Sequence, residues 1–305
     1  MNITEISAER MPEGYARVRV RTASGLSGYG ECASVTADQL ARARAIVLGK
    51  PAGSHEVHWR EMEGLGGLRA AANMALLDIA GKAAGTPVYR LLGGPTRHKA
   101  RVMTALAGST DAELIGSLER ARGAGYRCFS VPLPPRAGPN AVLRRMEALR
   151  AAAPDSDFVL QAAGALTPGQ AASLARALER FHLLWLDEPC SLANLEPIRK
   201  IAETVTPLGF GGDFPLLLKE GLIDVLRPDL GEHGLSPVRK AAALAETCYV
   251  AVAPRHTLGP IATAASLHLA AAIPNFFLAE VPAAARLAVK DGFAELPQGP
   301  GLGVS

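Results

Sequence analysis

Leu183-Leu184-Trp185-Leu186-Asp187-Glu188-Pro189 places four apolar residues directly before two acids and a proline. The apolar run is too short for a helix and reads as a strand buried on both faces, with its carboxylates just past the C-terminal end. From Arg101 onward, runs of this kind recur at intervals of roughly 25 residues and alternate with amphipathic helical stretches, the pattern of βαβ units in a parallel sheet. Strands are expected at Val102–Leu106, Cys128–Val131, Phe158–Gln161, Leu183–Leu186, Leu208–Gly211, Val225–Arg227, Tyr249–Ala253 and Phe276–Ala279. Eight such strands close a (β/α)-barrel.

Upstream the texture differs. Ala16 to Val20 alternates small or apolar with basic side chains, and Ser24-Gly25 turns the chain into Leu26 to Glu31, which reads as a β-hairpin. Helices are expected to begin near Asp38, near His55 and at Leu68, the last stopped by Gly85-Thr86-Pro87. The expected organisation is α/β: an α+β capping domain over residues 1–99, a modified (β/α)8 barrel over 100–281, and a segment over 282–305 that returns to complete the cap.

At 305 residues with 49% apolar, 20% charged and 5% aromatic residues, the composition is that of a folded, aliphatic-rich protein. The net charge of +3 is scattered along helices and interleaved with acids, so a nucleic-acid partner is not expected. Ile261 to Ile273 is apolar but too short to cross a bilayer and reads as a buried helix, and no membrane partner is expected. Cys32, Cys128, Cys190 and Cys248 form no C-x-x-C pair and read as free thiols in a reducing compartment. With no charged leader and apolar core at the N-terminus, a cytoplasmic location is the expectation.

In barrel enzymes reactive groups sit at the C-terminal ends of strands. Just past successive apolar runs stand Gln161, Asp187, Asp213, Asp229, Arg255 and Glu280. Two readings stand side by side for each acid: a cap for the following helix, or a member of an active-site ring. Glu188, between Asp187 and Pro189, is harder to explain as a cap.

Ala75-Leu76-Leu77-Asp78-Ile79-Ala80-Gly81-Lys82, followed by Gly85-Thr86-Pro87-Val88-Tyr89 and Leu91-Leu92-Gly93-Gly94, resembles the end of the capping domain of the enolase superfamily. Leu184 to Pro189 is similar to its fourth-strand motif, Ala253-Pro254 with Gly259-Pro260 to its seventh-strand region, and Pro300 to Val304 to its C-terminal return. The likeness is to the mandelate racemase/muconate lactonizing enzyme branch, which includes sugar-acid dehydratases. It implies Mg²⁺ held by three carboxylates, stabilising the enolate formed when a base removes a proton α to a substrate carboxylate.

Carried onto this chain, the metal positions are Gln161, Asp187 and Asp213. Gln161 brings no charge, and Asp187 stands where Glu is usual. The second-strand Lys-x-Lys of the family is replaced by Ser130-Val131-Pro132, and its seventh-strand His by Arg255, which cannot act as a base. The resemblance leaves Asp229, Arg255, Glu188 and His256 as catalytic candidates. His256 has two readings, a mouth histidine or a packed one. Arg255 has two as well, a salt bridge to Asp229 or a clamp on a substrate carboxylate. Glu280, Arg255 and Arg227 are substrate-binding candidates. The link from Arg10 to Gly14 is short where relatives carry a longer closing loop. Two functions follow: a divergent lyase or isomerase acting on a small anionic substrate such as a sugar acid, or a catalytically inactive or small-anion-binding protein of the same fold. The resemblance also implies a homo-oligomer.

Overall fold

A computed structural model describes residues 1–134, 138–193 and 195–304. The cap begins with β1 (Ile3–Arg10), β2 (Ala16–Thr22) and β3 (Ser27–Cys32), an antiparallel sheet in that order. Alternation in β2 sorts its faces: Ala16, Val18 and Val20 are buried, while Arg17, Arg19 and Arg21 face outward. Three helices follow, α1 (Ala37–Val47), α2 (His55–Glu61) and α3 (Gly67–Ala83), then the single turn α4 (Val88–Leu91). Thr36 and Gln39 close a reciprocal capping box at the start of α1. Helix α3 is buried on almost every side, as expected of a helix lying between a sheet and a second domain. It sits hard against β3 because Gly28 and Gly30 lack side chains; a Cβ there would stand 2.0 Å from the carbonyl oxygens of Ala75 and Ala71.

The barrel strands are β4 (Lys99–Ala105), β5 (Cys128–Pro132), β6 (Asp157–Gln161), β7 (Leu186–Asp187), β8 (Leu208–Phe210), β9 (Val225–Leu226), β10 (Ala251–Val252) and β11 (Ala279–Glu280). Neighbours pair in parallel from β10 through β9, β8, β7, β6, β5 and β4 to β11. Parallel bridges Val252–Phe276 and Arg255–Glu280 join the two ends and close the ring. Between the strands lie α5 (Asp111–Gly123), α6 (Pro139–Ala152), α7 (Pro168–Leu178), α8 (Glu196–Ala202), α9 (Phe214–Glu220), α10 (Leu230–His233), α11 (Leu235–Thr247) and α12 (Pro260–Ala272).

All eight expected strands are present, several shorter than their apolar runs. Leu183 to Trp185 precede β7, and Tyr249 lies outside β10, fully exposed with φ 57°. The Ile261–Ile273 stretch is the buried helix α12, and among the described residues no helix is long and apolar enough to cross a membrane. All four cysteines are free thiols, with Cys248 exposed.

Inside the barrel Met103, Cys128, Val159, Trp185, Val225, Ala253 and Leu278 form an apolar floor. Two residues further toward the mouth stand Ser130, Gln161, Asp187, Arg227, Arg255 and Glu280, so these polar groups lie over a dry base. The tail returns as β12 (Phe293–Glu295), antiparallel to β4, and then as a bridge between Gly301 and Pro87. Asp78 of α3 fixes this return by accepting from Leu302 N at 2.8 Å, Tyr29 N at 3.1 Å and Lys82 Nζ at 2.7 Å. Cap and barrel are joined again where Glu31 accepts from Ile261 N and Ala262 N at the start of α12, and where Asn73 and Ser236 exchange hydrogen bonds.

Candidate active site

The residue at the centre of the mouth is Arg227, just past β9 and fully buried. Its Nε donates to Asp187 Oδ1 at 3.1 Å, its Nη1 to the Ala253 carbonyl at 2.6 Å, and its Nη2 to Glu280 Oε2. The guanidinium lies 5.0 Å from the centre of the Trp185 ring, and the Trp185 indole N–H also donates to Asp187 Oδ1, at 3.0 Å. A buried guanidinium is tolerated only when its charge and donors are matched, and here two carboxylates, a carbonyl and an aromatic face match them.

Arg255 forms a second, shallower layer. Its Nη2 donates to Glu188 Oε1 at 2.8 Å, and its Nη1 stands 3.7 Å from Asp187 Oδ2. Glu188 is held in a left-handed conformation at φ 45° and accepts from Gly211 N as well. That conformation costs a non-glycine residue about 1–2 kcal/mol, offset here by the paired charge it aims at Arg255. Burial pushes the Asp187 carboxyl up from the ordinary range, opposed by the Arg227 charge beside it.

The three metal positions do not meet as a ligand set. Asp187 is engaged by both arginines. Asp213 is exposed and caps α9, accepting from Leu216 N at 3.2 Å, so at this position the capping reading holds. Gln161, the register partner of Asp187 on β6, lines a cleft of about 620 Å³ with Pro132, Leu133, Leu166 and Gln170. Between Asp187 and Asp213, β8 offers only Gly209 and Gly211 toward the network; a Cβ at 209 would fall 2.9 Å from Asp187 Oδ1, and one at 211 would fall 3.2 Å from Glu188 Oε1. Among the described residues no group of three His, Cys, Asp or Glu side chains is placed to hold a metal. Mg²⁺ takes carboxylate oxygens in octahedral geometry, and of the three metal positions the one buried carboxylate, Asp187, already faces two cations. The residues present do not fit it.

The remaining candidates are also committed elsewhere. Asp229 caps α10, accepting from Gly231 N at 2.7 Å, and burial raises its carboxyl. It shares a backbone bridge with Arg255, but among the described residues no ion pair joins them; Arg255 turns to Glu188 instead. His256 is the packed histidine: 3% exposed, with Nδ1 accepting from Leu258 N at 3.2 Å and Nε2 facing Thr263 Oγ1 at 3.3 Å. Burial lowers it to about 4, so it is neutral, but its ring faces the start of α12 and not the mouth. Glu280 is taken up by Arg227. Sequence reasoning named Arg227 only as a substrate cation and missed it as the hub. The available signal was its place, one residue past an apolar strand on the same inward register as Asp187.

Mandelate racemase/muconate lactonizing enzyme, N-terminal domain, is the family description matched by residues 7–93, and enolase C-terminal domain-like that matched by residues 113–305. The chain belongs to the enolase superfamily, in its mandelate racemase/muconate lactonizing enzyme branch. It is similar to the D-galactonate dehydratase of Verminephrobacter eiseniae, 31% identical over 299 residues that cover 88% of this chain and 78% of that one. It is 29% identical to the D-galactonate dehydratase of Ralstonia pickettii, with 100% of this chain and 92% of that one covered. That alignment runs over 352 positions against 305 residues here, so about 47 positions of the relative face gaps. A solved mandelate racemase/muconate lactonizing enzyme-like protein of Rubrobacter xylanophilus superposes with a TM-score of 0.90 at 26% identity, covering 99% of this chain and 94% of that one.

Proposed function

We propose that this chain is a non-catalytic member of the dehydratase/racemase branch, which keeps the barrel and has given up metal-assisted removal of an α-proton. One observation carries the reading: Arg227 and Arg255 are bound to the strand-end carboxylates on which enolisation would depend. An enolate dianion needs concentrated positive charge and a base within about 3 Å of the proton to be moved. Here the positive charge is already neutralised by the protein's own acids. Ser130 and Pro132 stand where the resemblance expects the two lysines of its Lys-x-Lys, and neither can act as that base; the Ser130 side chain is buried. Arg255 stands in place of the other base and stays protonated. With three carboxylates against two guanidinium groups in contact, the mouth also offers no surplus cation to a substrate carboxylate.

The names of the similar relatives favour a second reading, dehydration of a sugar acid such as D-galactonate by these altered groups. Proton NMR in D₂O decides between them. With Mg²⁺ present, D-galactonate and a panel of other sugar acids are expected to keep their α-protons and form no 2-keto-3-deoxy product; exchange or product above the protein-free control overturns the non-catalytic reading.

A further inference from the structure

We infer that the Arg227 and Arg255 guanidinium groups replace a divalent cation, so that the barrel mouth is assembled and held without metal. The inference deepens the non-catalytic reading and rests on it for the site concerned. Two guanidinium groups carry together the charge of one divalent ion, and they face Asp187, Glu188 and Glu280, three carboxylates on two different sectors of the ring. The substitution is built into the neighbouring strands as well. Gly209 and Gly211 on and after β8 leave room for the network: a Cβ at 209 would strike the Trp185 ring at 2.4 Å and crowd Asp187, and one at 211 would strike the Arg227 carbonyl at 2.7 Å and crowd Glu188. Asp213, the carboxylate that strand could otherwise supply, is turned out to solvent as a helix cap. Trp185 supplies both a donor to Asp187 and an aromatic face to Arg227, which suits a planar organic cation. Arg227 is walled in, whereas Arg255 is about a quarter exposed and sits over the outer oxygen of Asp187, which has no hydrogen-bond partner.

Arg255 is therefore the cation whose removal reopens the position. The test is the thermal midpoint of the full chain, read by circular dichroism in EDTA and in MnCl₂, for the parent and for Arg255→Gln and Arg255→Lys. The parent and Arg255→Lys are expected to respond to neither. Arg255→Gln, which leaves Asp187 and Glu188 facing a gap, is expected to gain about 4 °C when Mn²⁺ stands roughly a hundredfold above its dissociation constant. A parent midpoint that falls in EDTA overturns the inference, as does an Arg255→Gln protein indifferent to Mn²⁺. Turnover of a sugar acid in EDTA would sink the non-catalytic reading and leave this inference standing; metal-dependent stability would sink the inference whatever the activity.

Discussion

Arg227→Met is expected to cost about 3–5 kcal/mol of stability at neutral pH, because it leaves the Asp187 and Glu280 carboxylates buried without their cation. Lost packing against Trp185 adds to this through the shorter side chain. The two contributions separate with pH. Burial already holds Asp187 above its ordinary value of 3.8 in the folded protein, and losing Arg227 raises it further. A carboxyl raised in the folded state binds protons that the unfolded chain has released, so stability falls as pH rises from the unfolded value through the folded one. The deficit of Arg227→Met relative to the parent should then shrink as pH is lowered toward about 4. Urea denaturation at several pH values measures it. A deficit of constant size would assign the loss to packing alone.

Asp78→Ala is expected to cost about 3 kcal/mol or more, since the Asp78 carboxylate receives two backbone N–H groups and the Lys82 ammonium in a fully buried position. Tyr29 N and Leu302 N would lose their partner, and the hydrogen bond holding the returning tail to α3 would be gone. Hydrogen exchange should rise first over residues 293–304, ahead of the barrel strands. Uniform loosening of cap and barrel together would mean that the tail is held by its β12 pairing and not by Asp78.

The barrel was legible because its signal is repeated. Each apolar run, bounded by amphipathic helices, independently specifies a buried parallel strand, and the errors fall at ends such as Tyr249, where one side chain decides the boundary. The site was legible as a set of positions and not as an arrangement. Reading strand ends named Asp187, Arg255 and Glu280, with Glu188 beside them, but it named Asp213 and Asp229 as well, which cap helices, and Arg227 came only from the resemblance. Which acid pairs with which arginine depends on side-chain reach across strands far apart in sequence, and no local pattern encodes it. Arg255 illustrates the difference: Asp229 is its backbone neighbour, yet Glu188 receives its charge because left-handed backbone at Glu188 turns that carboxylate inward. His256 was ambiguous for the same reason. Its partners Leu258 and Thr263 are close in sequence, but only the entry of the chain into α12 shows that the ring turns away from the mouth.

Anomalous diffraction from crystals soaked in Mn²⁺ tests most directly whether protein cations hold the place of the metal. No manganese peak is expected among Gln161, Asp187 and Asp213, with Arg227 still joining Asp187 to Glu280 and Arg255 still on Glu188. A manganese ion ligated by Asp187, with either guanidinium swung aside to admit it, would contradict that replacement.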